Sequence, residues 1–167
     1  MKYNRGAVKN ISKKKGFTLI EVVIVIVILS IIAAIGSRVL QAALNSYITN
    51  QNVSNANAQA RLALERISRD VHNINAAANI STAAASQLSF TDINGNTVTY
   101  LLSGTQLTRT GQVLADGVSG LTFAYLNSSG GTASTIASIC YVTTTLTFNT
   151  GGVNYTLRNT ASAMNFC

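Results

Sequence analysis

A chain of 167 residues holds one domain, or one small domain with an appendage. Hydrophobic residues make up 47% and charged residues only 10%, against a usual charged share of about 25%, which points to a membrane segment, an uncharged polar surface, or both. The net charge of +7 invites a nucleic-acid reading, but Lys2, Arg5, Lys9, Lys13, Lys14 and Lys15 all precede Gly16, and the rest of the chain sets six arginines against five acids. Basic charge ahead of an apolar run follows the positive-inside rule better than phosphate binding.

From Phe17 to Ile35 the sole charged side chain is Glu21, with neither Pro nor Gly in the run. About 20 apolar residues at 1.5 Å rise match a hydrocarbon core of roughly 30 Å. A buried helix of a soluble protein is the plain alternative, and its all-round apolarity argues against it. A cleaved secretory signal is another, with small residues at Ala33 to Ser37, but its apolar core is shorter. Glu21 is the anomaly, because a carboxylate at the centre of a span costs roughly 2.5–3.5 kcal/mol. It either snorkels from one turn inside the interface or has a partner and a function.

Beyond Gly36 the chain stays helix-compatible to about Ile74, with Gly36 and Ser37 the expected place for a bend. Tyr47 to Ala60 is rich in Asn, Gln, Ser and Ala and only weakly committed to helix. Ala60, Ala63, Leu64, Ile67, Val71 and Ile74 then form an apolar stripe at helical spacing, predicted to pack on a sheet. Arg61, Glu65, Arg66, Arg69 and Asp70 are assigned to the opposite face. There Arg61–Glu65, Glu65–Arg69 and Arg66–Asp70 make i,i+4 pairs on a solvated or subunit-facing rim.

Ala76 to Ser86 reads as a small-residue connector. After it the period changes to two: Leu88 and Phe90, then Asn94-Gly95, then Val98, Tyr100 and Leu102, a strong hairpin signal. Further runs ("QLTRT", "GVSGLTFAYLN", "SICYVTTTLTFN", "VNYTLRN") bring the total to about six short strands. One long helix followed by strands is an α+β arrangement, a helix with a transmembrane half and an amphipathic half packed on an antiparallel sheet. The expected divisions are a cytoplasmic leader at 1–16, a membrane helix at 17–36, a helix extension at 37–75 and a β-rich head at 76–167.

"KKKG" followed by "FTLIEVVIVIVILSIIAAI" resembles the class III signal of type IV pilins and type II secretion pseudopilins. The resemblance implies cleavage between Gly16 and Phe17 by a prepilin peptidase and N-methylation of Phe17. It also implies retention of the span, with the N-terminus cytoplasmic and the head periplasmic in a bacterial inner membrane. Glu21 then gains a partner: the α-amino group of mature Phe17 is largely cationic, and positions 17 and 21 are i and i+4 on a helix. In the family that carboxylate is thought to meet the amine of a neighbouring subunit, setting register in a filament core. Partners implied are other pilin or pseudopilin subunits, the peptidase, an inner-membrane assembly platform and the bilayer. Many members carry a proline after the span; this chain has Arg38 there. "QLSFTD", "NGNTVTYLLSGTQLTR" and "VLADGVSGLTFAYLNSSG" are similar to the heads of minor pilins of mannose-sensitive haemagglutinin pilus systems and of J-type pseudopilins. The expected function is therefore assembly as a minor pilin-like subunit. A non-polymerising, single-span periplasmic ligand-binding domain and a pilus-associated adhesin or DNA-uptake subunit are the alternatives.

Cys140 and Cys167, an even pair in an exported domain, read as a disulfide, with two free thiols as the other reading. With His72 the chain's one histidine, no metal set is expected. Asp92, Asn94 and Asn96 mimic a calcium loop, but Thr97 and Ser103 stand where that loop needs Gly and Glu, so a turn is the better reading. For catalysis the head offers Glu65, Asp70, His72, Asp92 and Asp116 without a serine in a nucleophile elbow, and no enzyme or cofactor is expected. Arg109 and Arg158, both on predicted strands and able to be neighbours, are too few for a nucleic-acid interface.

Overall fold

The computed structural model describes residues 16–150 and 152–163. A single α-helix, α1 (Leu19–His72), precedes eight strands among the described residues. The chain divides between Asn45 and Ser46 into two compact units.

In the first unit α1 carries the apolar run. Every side chain from Leu19 to Ile35 is exposed there, a surface that water does not tolerate and that lipid or other helices must cover. The two hydroxyls in and just after the run make no demand on solvent. Ser30 Oγ donates to the Ile26 carbonyl at 2.7 Å and Ser37 Oγ to the Ala34 carbonyl at 3.0 Å. The bend expected at Gly36 and Ser37 does not interrupt the helix, which runs on through both. A lone glycine costs about 1 kcal/mol relative to alanine, and without a proline nearby the flanking Ala, Ile and Arg carry the helix across it.

In the second unit the predicted stripe is the core. Ala60, Ala63, Leu64, Ile67, Val71 and Ile74 are all buried against residues of both sheets. The head holds two antiparallel sheets rather than one. The first is a five-stranded meander: β1 (Ile80–Ala83), β2 (Gln87–Thr91), β3 (Thr97–Ser103), β4 (Gln106–Arg109) and β5 (Gln112–Ala115). The second joins β6 (Val118–Leu126), β7 (Tyr141–Thr150) and β8 (Val153–Ser162) in that order. Leu88, Phe90, Val98, Tyr100 and Leu107 fill the core from the first sheet, and Val118, Phe123, Val142, Leu146 and Phe148 from the second.

The predicted connector holds β1, whose Ile80 is buried opposite Phe90. The hairpin at Asn94-Gly95 joins β2 to β3 with Thr91 opposite Thr97. Thr110 and Gly111, at φ 50° and 81°, turn β4 into β5 with the positive torsions that a two-residue hairpin of type I′ demands. Between the sheets the Phe123 N–H donates to the Ala85 carbonyl at 2.7 Å, and the Tyr125 hydroxyl donates to the Ala84 carbonyl at 2.9 Å.

One assignment of the helix's polar face is corrected. Asp70, placed on the solvated rim, is 6% exposed and lies inside the head. Its Oδ2 accepts from the Tyr100 hydroxyl and from Arg109 Nε, both at 2.6 Å, and its Oδ1 lies 3.3 Å from Arg66 Nε. The reason is spacing: Asp70 is three residues from Ile67 and seven from Ala63, on the stripe itself. The predicted Glu65–Arg69 pair forms at 3.0 Å, while no Arg61–Glu65 ion pair occurs among the described residues.

Candidate assembly site

The N-terminal segment is the part of the sequence with the most specific signal. Gly16, Phe17 and Thr18 precede the helix, and Phe17 is 82% exposed. Thr18 caps it: its Oγ1 accepts from the Glu21 backbone N–H at 3.3 Å, and its carbonyl accepts from the N–H groups of Glu21 at 3.1 Å and Val22 at 3.3 Å. Thr18-Leu19-Ile20-Glu21 is thus the Thr-x-x-Glu pattern of a capping box, with Thr18 at the N-cap and Glu21 in the first turn. The carboxylate also stands at the positive end of the helix dipole, which favours it there.

In the uncleaved chain the helix begins after Phe17, so the i,i+4 relation expected of Phe17 and Glu21 in the mature protein is not a helical one here. With the helix beginning at Leu19, Phe17 lies outside it, and Thr18 takes up the cap position. The Thr-x-x-Glu spacing that marks this cap was present in the sequence.

The other sequence candidates scatter. Asp92 closes the β2–β3 turn: its Oδ1 accepts from the backbone N–H groups of Asn94 at 2.9 Å and Asn96 at 2.8 Å, with Gly95 at φ 82°. The Asn96 backbone hydrogen bond holds the Asp92 carboxyl below its ordinary pKa, with the other Asn96 and Asn94 contacts acting the same way. Those turn bonds occupy the carboxylate that a calcium loop would use. Arg109 and Arg158 are not neighbours in one sheet. Arg109 ends β4 and is held by Asp70, whose hydrogen bond raises its pKa, whereas Arg158 lies on β8 of the other sheet. Asp116 sits at the turn between the sheets, where its backbone N–H donates to Gln59 Oε1 at 3.0 Å and its side chain accepts from the Gly117 N–H at 2.8 Å. Glu65 and His72 lie on α1 in its second unit. Cys140 is buried just before β7, and its N–H donates to the Leu126 carbonyl at 2.7 Å. Cys167, its proposed partner, lies outside the described residues.

The cluster that sequence reasoning missed, Asp70 with Tyr100 and Arg109, joins α1 to β3 and β4. Burial, and then the hydrogen bond to Asp70, push the Tyr100 hydroxyl pKa well up, so the phenol stays a donor. With the carboxylate and the phenol buried and paired, this is an arrangement for holding a helix on a sheet.

Residues 11–37 match the family described as the prokaryotic N-terminal methylation motif. No curated protein matches the chain significantly.

Proposed function

We propose, from an N-terminus of the type IV pilin and type II secretion pseudopilin kind, that this chain is a minor pilin-like subunit of a pilus or pseudopilus. Its function is mechanical: it is cut between Gly16 and Phe17, methylated on the new amine of Phe17, and assembled with other subunits through its N-terminal helix. The observation that carries this reading is the continuity of the methylation motif with a helix exposed on all sides. A helix of that apolarity needs a bilayer first and the helices of other subunits later. The leader stays in the cytoplasm by its basic charge, the head lies in the periplasm, and Glu21 pairs with the mature amine in the filament. A disulfide between Cys140 and Cys167 closes the end of the head. The motif points to a structural subunit rather than an enzyme.

Two measurements test it. The intact mass of the mature protein should correspond to a start at Phe17, one added methyl and the loss of two hydrogens; a start elsewhere defeats the processing part of the reading. Replacing Glu21 with Ala should leave membrane insertion normal and strongly reduce pili or secretion. Unchanged output from a normally inserted variant would favour a monomeric membrane-anchored domain instead.

A further inference from the structure

A groove of about 690 Å³ runs between the C-terminal turns of α1 and β8, lined among others by Arg61, Glu65, Arg69, Leu157, Arg158 and Asn159. Two features coincide in it. The first is an open strand edge. β8 pairs with β7 along its whole length from Val153 to Ser162, and it ends the order of its sheet. Leu157, Arg158 and Asn159, three consecutive residues of β8, all line the groove, as the outer edge of a strand would. The backbone donors and acceptors of that edge have no partner strand among the described residues.

The second feature is charge. Three arginines line the groove against one carboxylate, Glu65, which Arg69 already holds at 3.0 Å. Arg61 and Arg158 make no ion pair among the described residues.

We propose that this groove binds an extended acidic segment of a different polypeptide, which adds beside β8 as a fourth strand and sets its carboxylates against Arg61 and Arg158. An alternation of N–H and C=O groups is complemented by another backbone, whereas a phosphate polymer or a free anion brings acceptors alone. The segment comes from another protein, because the five acids of this chain (Glu21, Glu65, Asp70, Asp92 and Asp116) are widely separated and form no acidic strand. The site belongs to the head and stands whether or not the N-terminal helix polymerises.

The test uses the full chain in detergent micelles and a labelled peptide of alternating Glu and Val, read by fluorescence anisotropy. Binding should weaken about tenfold for each of Arg61→Gln and Arg158→Gln, the loss of one charge-assisted hydrogen bond. It should be abolished by N-methylation of alternate peptide amides. Thermal melts of both variants should match the parent, so that lost binding is not lost folding. Equal binding of an alternating Lys and Val peptide overturns the proposal, as does indifference to both arginine changes. Full binding of every N-methylated version overturns the strand pairing. Displacement by polyphosphate at the same carboxylate-equivalent concentration reassigns the groove to anions and defeats the peptide reading.

Discussion

Replacing Asp70 with Ala should destabilise the head by about 2–4 kcal/mol, against a typical domain stability of 5–15 kcal/mol. The figure follows from what each partner loses. Tyr100 is fully buried, and its hydroxyl donates to Asp70 at 2.6 Å; left without an acceptor it costs about 1–3 kcal/mol. The Arg109 side chain is 27% exposed and turns to water at smaller cost, while Arg66 is more exposed still and its share is about 0–1 kcal/mol. Truncation alone does not separate these parts, but a double-mutant cycle with Tyr100→Phe does. In the parent, Tyr100→Phe removes a charge-assisted bond and should cost about 1.5–3 kcal/mol. In the Asp70→Ala background it removes an orphaned hydroxyl and should be neutral or stabilising. The coupling should therefore exceed about 1 kcal/mol. Urea unfolding of the full chain in micelles, followed by near-ultraviolet circular dichroism of the head's tyrosines, measures it. A coupling below about 0.5 kcal/mol, the scatter of independent sites, would refute the claim that this buried carboxylate and phenol hold the helix on the sheet.

Gly36→Ala meets open space on an exposed helical turn and should strengthen the helix by about 0.8–1 kcal/mol, read as slower amide exchange around residue 36 with no change in head unfolding. Raising pH should destabilise the head above about pH 10: the unfolded chain then loses tyrosine protons that folded Tyr100 and Tyr125 retain, at about 1.4 kcal/mol per pH unit per group. Below that pH both states keep the proton and no dependence arises, so a tyrosinate absorbance titration of the folded chain should lag that of the urea-unfolded one. Asp92 gives the opposite sign, since its folded pKa is lowered. Its contribution is present above the ordinary aspartate range and lost as pH falls through the folded value, and Asp92→Asn should flatten that acid limb of the stability profile.

Much of this fold was legible in the sequence where periodicity was clean. Six apolar residues from Ala60 to Ile74 repeat at helical spacing, and all are buried. Asn94-Gly95 between alternating runs marks its hairpin, although the loop is organised more widely by Asp92. What escaped had weak local chemistry. Ser81 and Ala83 of β1 carry little strand preference, and Ile80 finds its place opposite Phe90 across the sheet. The division into two sheets occurs at Asp116-Gly117, where Gly117 takes φ 73° and the chain leaves one sheet to begin another. Nothing in a two-residue turn says whether the next strand rejoins the same sheet. Asp70 was assigned by its charge when its spacing placed it in the core, and the residues that make its burial tolerable, Tyr100 and Arg109, are 30 and 39 positions away. Such a pairing is a tertiary fact that no local window contains.

The cap at Thr18 bears on the proposed cut between Gly16 and Phe17. The Gly16–Phe17 peptide lies in non-helical backbone, ahead of every hydrogen bond that Thr18 makes to the first turn. A protease needs its substrate extended, and here no helix has to be unwound to offer it. A cut at that junction also removes none of those bonds, so the product keeps the same first turn as the precursor. The threonine thus works as a punctuation mark: it keeps the text on either side readable by different machines, and erasing one side leaves the other unchanged.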